Sequence, residues 1–193
     1  MIEINIINLH KEYGDRTIIP KCHAHLTSDY IYFLTNENGG GKTTFFKCLL
    51  GIEDYEGHID KISSFSYLPE KNILPYYSTP YKFLQAFFKI AEISQIEPLI
   101  DKYLNMFNIL CYKHISFYKL SKGTKQKVLL IKTLNSMNNV LLFDEPLNGL
   151  DLDSRNIFMR LVNNKQKEGK LIIIASHYYD EYNYENKRII RFV

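Results

Sequence analysis

The apolar run Ile31-Tyr32-Phe33-Leu34 leads directly into Asn36-Glu37-Asn38-Gly39-Gly40-Gly41-Lys42-Thr43-Thr44. A strand must therefore feed a glycine-rich turn that opens a helix. Such a turn aims several backbone N–H groups at one centre, and the new helix adds the positive end of its dipole, so a di- or triphosphate can sit there. Lys42 would reach the outer phosphates and the Thr43 hydroxyl would hold Mg²⁺. The usual pattern, G-x-x-x-x-G-K-[ST], has glycine at its first position, where this chain has Asn36. Asparagine tolerates positive φ better than other non-glycine residues, so the sequence predicts that the turn survives with Asn36 in a left-handed conformation. Taken alone, the nonapeptide is also compatible with a plain strand-to-helix turn carrying a solvated lysine.

The 193 residues suffice for one large core, and the sequence predicts a single unit over 1–193 with a helical insertion. Hydrophobic residues make up 46% and charged residues 23%, the balance of a globular chain rather than a disordered one. A net charge of +3 is too small and dispersed to indicate a nucleic-acid binder, although Lys119, Lys122, Lys125 and Lys127 cluster. The three cysteines, Cys22, Cys48 and Cys111, have no C-x-x-C spacing and read as reduced core thiols. The alternating, acid-bearing start Met1-Ile2-Glu3-Ile4 is unlike a secretion signal and predicts a cytosolic protein. No window approaches the ~18 apolar residues of a membrane span.

Residues Glu3 to Leu9 and roughly His23 to Leu34 read as β segments around a turn at Tyr13 to Asp15, a small antiparallel layer leading to the phosphate-loop strand. The helix after the loop should run from Thr43 to about Leu50, with Gly51 ending it. A short strand, Ser64 to Leu68, precedes a portion from about 72 to 119 with helical patterning over Tyr81 to Ile93 and Pro98 to Ile109. Then follow a helix from Gly123 to about Ser136, a strand Val140 to Phe143, a helix from about Asp153 to Glu168 and a strand Leu171 to Ala175. A short helix near Tyr179 and a strand Arg188 to Phe192 end the chain. The fold class is α/β, built on a mainly parallel sheet, with a small N-terminal antiparallel layer and an inserted helical subdomain.

Two further strand ends carry polar groups. Val140-Leu141-Leu142-Phe143 runs into Asp144-Glu145, and Leu171-Ile172-Ile173-Ile174-Ala175 into Ser176-His177. Ligands of a parallel sheet collect beyond the carboxyl ends of its strands, so these groups would emerge near the phosphate loop. Asp144 would bind Mg²⁺, Glu145 would polarise a water that attacks the γ-phosphate, and His177 would hydrogen-bond that phosphate. Each taken singly is equally compatible with an acidic turn or a surface histidine.

With these features, the chain resembles the ATP-binding subunit of ATP-binding-cassette (ABC) transporters nearly end to end. Leu120-Ser121-Lys122-Gly123-Thr124-Lys125-Gln126 resembles the family signature, Leu-Ser-Gly-Gly-Gln, with Lys122 and Thr124 as departures. The resemblance implies a P-loop NTPase core, ATP and Mg²⁺, and a γ-phosphate contact from Ser121 and Gly123 to the ATP held by an opposite subunit. It implies that Tyr13 stacks on adenine, where a lone tyrosine more often packs, and that Asp151, in Asn148-Gly149-Leu150-Asp151, helps to join two subunits, where by itself it is equally compatible with a helix cap. Glu70, in Tyr67-Leu68-Pro69-Glu70, falls where the family has a glutamine that touches Mg²⁺ and the attacking water. The residues Asn36 to Thr44 would bind the phosphates.

The family further implies an ATPase that dimerises around ATP, as a homodimer or with a second ABC ATPase, and powers a separate integral-membrane permease. The expected location is cytoplasmic, on the inner face of the membrane through that permease, with no nucleic-acid partner. Export is the expected direction, from the likeness of the Tyr-Leu-Pro-Glu and Leu-Ser-Lys-Gly segments to bacterial exporters. Two alternatives stand beside this: an ABC-type ATPase acting on a ribosome or DNA, and a non-hydrolysing cassette paired with a competent one. The aromatic residues Tyr76, Tyr77, Tyr81, Phe83, Phe87 and Phe88 fit either a permease contact or the core of a helical subdomain.

Overall fold

A computed structural model describes the chain except Asn38, residues 61–63, Asn72, Tyr178 and Val193. The expected start of the helical portion at Asn72 therefore lies outside the described residues. The chain divides into two compact units: Met1–Glu70, Asn138–Pro146 and Asn163–Val193 form the first, Lys71–Met137 and Leu147–Val162 the second.

The first unit opens with β1 (Glu3–Tyr13) and β2 (Arg16–Thr27), an antiparallel hairpin closed by Gly14 and Asp15. β1 is longer than expected because a bulge hides its second half from a period-two reading. Ile4 and Ile6 alternate into the core, Ile7 and Asn8 both face out, and Asn8 takes a φ of 53°, after which Leu9 is buried again. One extra residue thus restores the inward register.

The segment read as one strand from His23 to Leu34 is two. Ser28 accepts from the Ile2 N–H through its hydroxyl and donates its own N–H to the Ile2 carbonyl. The chain turns there and restarts as β3 (Ile31–Leu34) in a different sheet. Next come α1 (Lys42–Leu49), β4 (Glu56–Ile59) and β5 (Phe65–Leu68). β4 pairs with the free edge of β1, giving the order β2-β1-β4. Its sequence, Glu-Gly-His-Ile, has no apolar alternation to announce it.

In the second unit, α2 (Pro80–Ile90) has Thr79 as its cap, whose Oγ1 accepts the Lys82 N–H, and Pro80 at its first position. It packs on α3 (Ile96–Met106) and α4 (Lys122–Leu134) around Leu84, Phe88, Ile100, Leu104 and Leu130, all buried. Of the aromatic residues with two readings, Phe88 is core, while Tyr76 and Tyr77 are 61% and 81% exposed.

β6 (Val140–Asp144), α5 (Leu152–Lys167), β7 (Leu171–Ala175) and β8 (Lys187–Ile190) complete the chain. The second sheet is parallel throughout its paired strands, in the order β5-β6-β7-β3-β8. β3, β6 and β7 are buried at every position, which is why they read as unbroken apolar runs. Because β7 lies between β6 and β3, the segments after all three strands emerge side by side. Of the cysteines only Cys48 is a core thiol; Cys22 is half-buried and Cys111 exposed.

Candidate functional site

The phosphate-loop segment starts where β3 ends. Gly41 has a φ of 84°, and a Cβ there would lie 2.8 Å from the Ile18 carbonyl oxygen, so both conformation and space require glycine. Asn36 is not among the residues with positive φ, which corrects the expectation for this position. It acts through its side chain instead, Nδ2 donating to the Gly40 carbonyl at 2.9 Å. The Glu37 carbonyl accepts the Gly40 N–H, and Gly39 turns the chain with a φ of 77°. Asn38 lies outside the described residues. α1 begins with no side-chain cap and no acid in its first turn, so its leading N–H groups and dipole remain available to an anion. Thr44 is half-buried in that turn.

Lys42 is buried, and its ammonium donates to the Asn36 carbonyl at 2.7 Å, the Glu37 carbonyl at 3.4 Å and His177 Nε2 at 3.1 Å. An ammonium has no acceptor, so His177 Nε2 must be the unprotonated nitrogen and Nδ1 carries the proton. Burial lowers the Lys42 pKa, opposed by the charges of Glu145, Asp144 and Glu70. Burial, then the Lys42 charge, lowers that of His177, which keeps the imidazole neutral.

Asp144 ends β6 and is 1% exposed; its Oδ2 accepts from the Thr43 hydroxyl at 2.7 Å and from the Tyr67 hydroxyl at 3.3 Å. Burial raises its pKa and the two hydroxyls oppose that rise. Glu145, 6% exposed, takes a φ of 49°, a left-handed turn uncommon for a side chain of this size. Its N–H donates to the Ala175 carbonyl at 2.9 Å, which ties the turn to β7. Burial pushes its carboxyl up to about 7 against the pull of Lys42. Its Oε1 lies 3.3 Å from His177 Nε2, yet receives no hydrogen bond. Glu70 is exposed, close enough for its charge to act on Lys42, Asp144 and Glu145. Beside the loop an open cleft of about 690 Å³ is lined by Thr35, Asn36, Glu37, Gly40, His177 and Arg191, among others.

Tyr13 has its own contact: Lys11 Nζ lies 4.9 Å from its ring centre. In the second unit Ser121 caps α4, its Oγ accepting the Thr124 N–H at 3.1 Å and meeting Thr124 Oγ1 at 2.9 Å. Gly123 faces the Gly149 carbonyl so closely that a Cβ would collide with it. Asp151 Oδ2 accepts from Lys127 at 2.7 Å and Oδ1 from the Ser154 N–H at 2.8 Å, so it begins α5 as a cap. The Lys127 hydrogen bond holds its carboxyl well below the usual carboxylate range.

Residues 21–148 match the family described as ABC transporter. The chain belongs to that family. An uncharacterised ABC transporter ATP-binding protein of Methanocaldococcus jannaschii is 32% identical over 178 residues, covering 91% of this chain and 68% of the relative. A zinc import ATP-binding protein of Buchnera aphidicola is 31% identical, covering 91% and 74%. A lantibiotic transport ATP-binding protein of Streptococcus pyogenes is 30% identical, covering 92% and 81%.

In this ABC chain the Thr43 hydroxyl and the Asp144 carboxylate meet at one point, a pair of hard oxygen donors of the kind that holds Mg²⁺ together with substrate phosphates. No group of three or more His, Cys, Asp or Glu residues among the described ones forms a cage for a metal, so phosphate oxygens would have to complete the set. Sequence reasoning missed Tyr67. It lies in the Tyr-Leu-Pro-Glu segment, but only the pairing of β5 with β6, Tyr67 opposite Leu142, brings its hydroxyl to Asp144.

Proposed function

We propose that the chain is one ABC ATPase domain over residues 1–193 that binds and hydrolyses ATP to power a separate membrane permease. The observation that carries this reading is the convergence of Lys42, Thr43, Asp144, Glu145 and His177 at the adjoining ends of β3, β6 and β7. The phosphates would take the place of the carbonyls that now hold the Lys42 ammonium, and the N–H groups of the loop and of α1 would bind their oxygens. Thr43 and Asp144, with Glu70 nearby, would hold Mg²⁺, which supplies neutralising charge to the phosphates when bound.

Glu145 would accept a proton from the water that attacks the γ-phosphorus as the bond to the leaving ADP oxygen breaks. Its buried carboxyl, poised near neutrality, suits that role. Once Lys42 no longer occupies Nε2, the imidazole proton would move from Nδ1 to that nitrogen, and His177 would orient the γ-phosphate by donating a hydrogen bond from it. Tyr13 would stack on adenine. A second cassette, identical or different, would complete each site with its Ser121 and Gly123 equivalents, and Asp151 would help to join the pair.

The permease reading rests on the transport proteins among its relatives. The exposed rings of Tyr76 and Tyr77, packed with Tyr118 at 5.1 and 6.0 Å between centroids, offer a surface for such a partner. Export remains the preferred direction, on the Tyr67–Glu70 and Leu120–Gly123 segments. The test is Mg-ATP turnover by the purified chain and its Glu145→Gln and Lys42→Ala variants. Glu145→Gln should retain ATP binding and lose turnover by at least about a hundredfold, and Lys42→Ala should lose binding. Unchanged turnover in Glu145→Gln would assign hydrolysis to another site.

A further inference from the structure

The phosphate loop is fastened at its first residue in a way that glycine could not provide. β3 and β8 pair in parallel up to Leu34 opposite Ile190, and the Thr35 N–H adds one more bond to the Ile190 carbonyl at 3.1 Å. Among the described residues the backbone ladder goes no further, and the Asn36 side chain continues it. Asn36 Oδ1 accepts the Phe192 N–H at 3.1 Å, and Nδ2 faces the Phe192 carbonyl at 3.4 Å as well as the Gly40 carbonyl at 2.9 Å. A primary amide carries the same donor and acceptor pair as a peptide group, so it can take the place of one in a ladder.

The far side of this contact is itself anchored. The Phe192 ring lies 5.3 Å from that of Phe45, which is fully buried in α1. Arg191 Nε donates to Thr35 Oγ1 at 3.3 Å and Nη2 to the Tyr179 hydroxyl at 3.4 Å. On the near side, the Asn36 carbonyl accepts the shortest hydrogen bond of the Lys42 ammonium. A continuous path thus runs from the Phe192 backbone through the Asn36 amide and carbonyl to Lys42.

We propose that Asn36 is a positioning residue that latches the phosphate loop to the segment Ile190–Phe192, so that nucleotide affinity in this chain depends on residues at its far end. The inference rests on the ATP-binding reading above. Its physical content is preorganisation: hydrogen bonds that hold the loop before nucleotide arrives reduce the ordering cost of binding. Arg191, already aimed along the same edge, holds the segment in place from the other side.

The test compares wild type with Asn36→Gly, which restores the common loop residue, and Asn36→Ala, which removes the amide without adding backbone freedom. Two readouts are taken on each full-length protein: exchange of the Phe192 amide by NMR without nucleotide, and Kd for a fluorescent ATP analogue with Mg²⁺. Both variants should lose protection at Phe192 and bind about three- to thirtyfold more weakly, the loss expected for two or three modest hydrogen bonds, with melting temperatures close to wild type. Unchanged Phe192 protection, or a Kd within about twofold of wild type in Asn36→Gly, would overturn the latch. So would a fall in melting temperature without a change in Kd, because that marks a structural role only. A wild-type protein that binds no nucleotide would instead refute the ATP-binding reading, and with it the latch's effect on affinity, while Phe192 exchange still reports whether the contact exists.

Discussion

Each carboxylate at the strand ends has a different environment, and the differences match different tasks. Asp144 is buried but receives two hydroxyl donors, while Glu145, turned out of line by its left-handed backbone, has an oxygen with no donor at all. Tyr67→Phe removes one donor from Asp144 and keeps the ring contact with Phe46. It should weaken the apparent Mg²⁺ affinity of the nucleotide complex by about tenfold, as losses around a metal ligand do, read by Mg²⁺ titration of analogue binding; no change would remove Tyr67 from the site. Asp151 titrates with the opposite sign, since Lys127 holds its carboxyl down. A depressed folded pKa contributes stability above the unfolded value of about 3.9 and loses it as pH falls towards the folded value. Asp151→Asn should therefore lower the melting temperature at pH 7, with a gap that narrows below about pH 4. The side chain is 58% exposed, so the effect should stay below about 1 kcal/mol.

At the scale of elements, α2 and the turn that precedes it separate packing from surface. Phe88→Ala leaves a hole at a fully buried position and should cost about 3–5 kcal/mol by urea unfolding, whereas Tyr77→Ala should stay within about 0.5 kcal/mol. Equal effects would contradict the assignment of Phe88 to the core and Tyr77 to the surface. The sequence disclosed the elements whose burial is uniform. β3, β6 and β7 were legible as apolar runs, β7 to the residue, because both faces are covered, and α1 was legible from its loop and from Gly51 beyond its end. What it concealed follows from local irregularity: a bulge at Asn8 shortened β1, a turn at Ser28 inside a continuous β pattern fused two strands, and a glycine-bearing edge strand, β4, lacked any pattern. The placement of the candidate residues at the strand ends was legible for the same reason as the strands. The partners of Asn36 and Asp144 were not, since Phe192 and Tyr67 lie 156 and 77 residues away and meet them only through sheet pairing.

For the whole molecule, the first unit gathers the phosphate loop, both acids and His177, and the second carries the Ser121–Gly123 segment, Asp151 and the exposed tyrosines. We propose that this ABC domain serves a membrane partner. The most direct measurement is to tag the chain carrying Glu145→Gln, extract membranes in mild detergent with Mg-ATP, and identify by mass spectrometry what co-purifies. A polytopic membrane protein in stoichiometric amount is the predicted result, with a second cassette if the pair is a heterodimer. Recovery of ribosomal, DNA-bound or other soluble partners in its place would rule out a membrane permease as the partner.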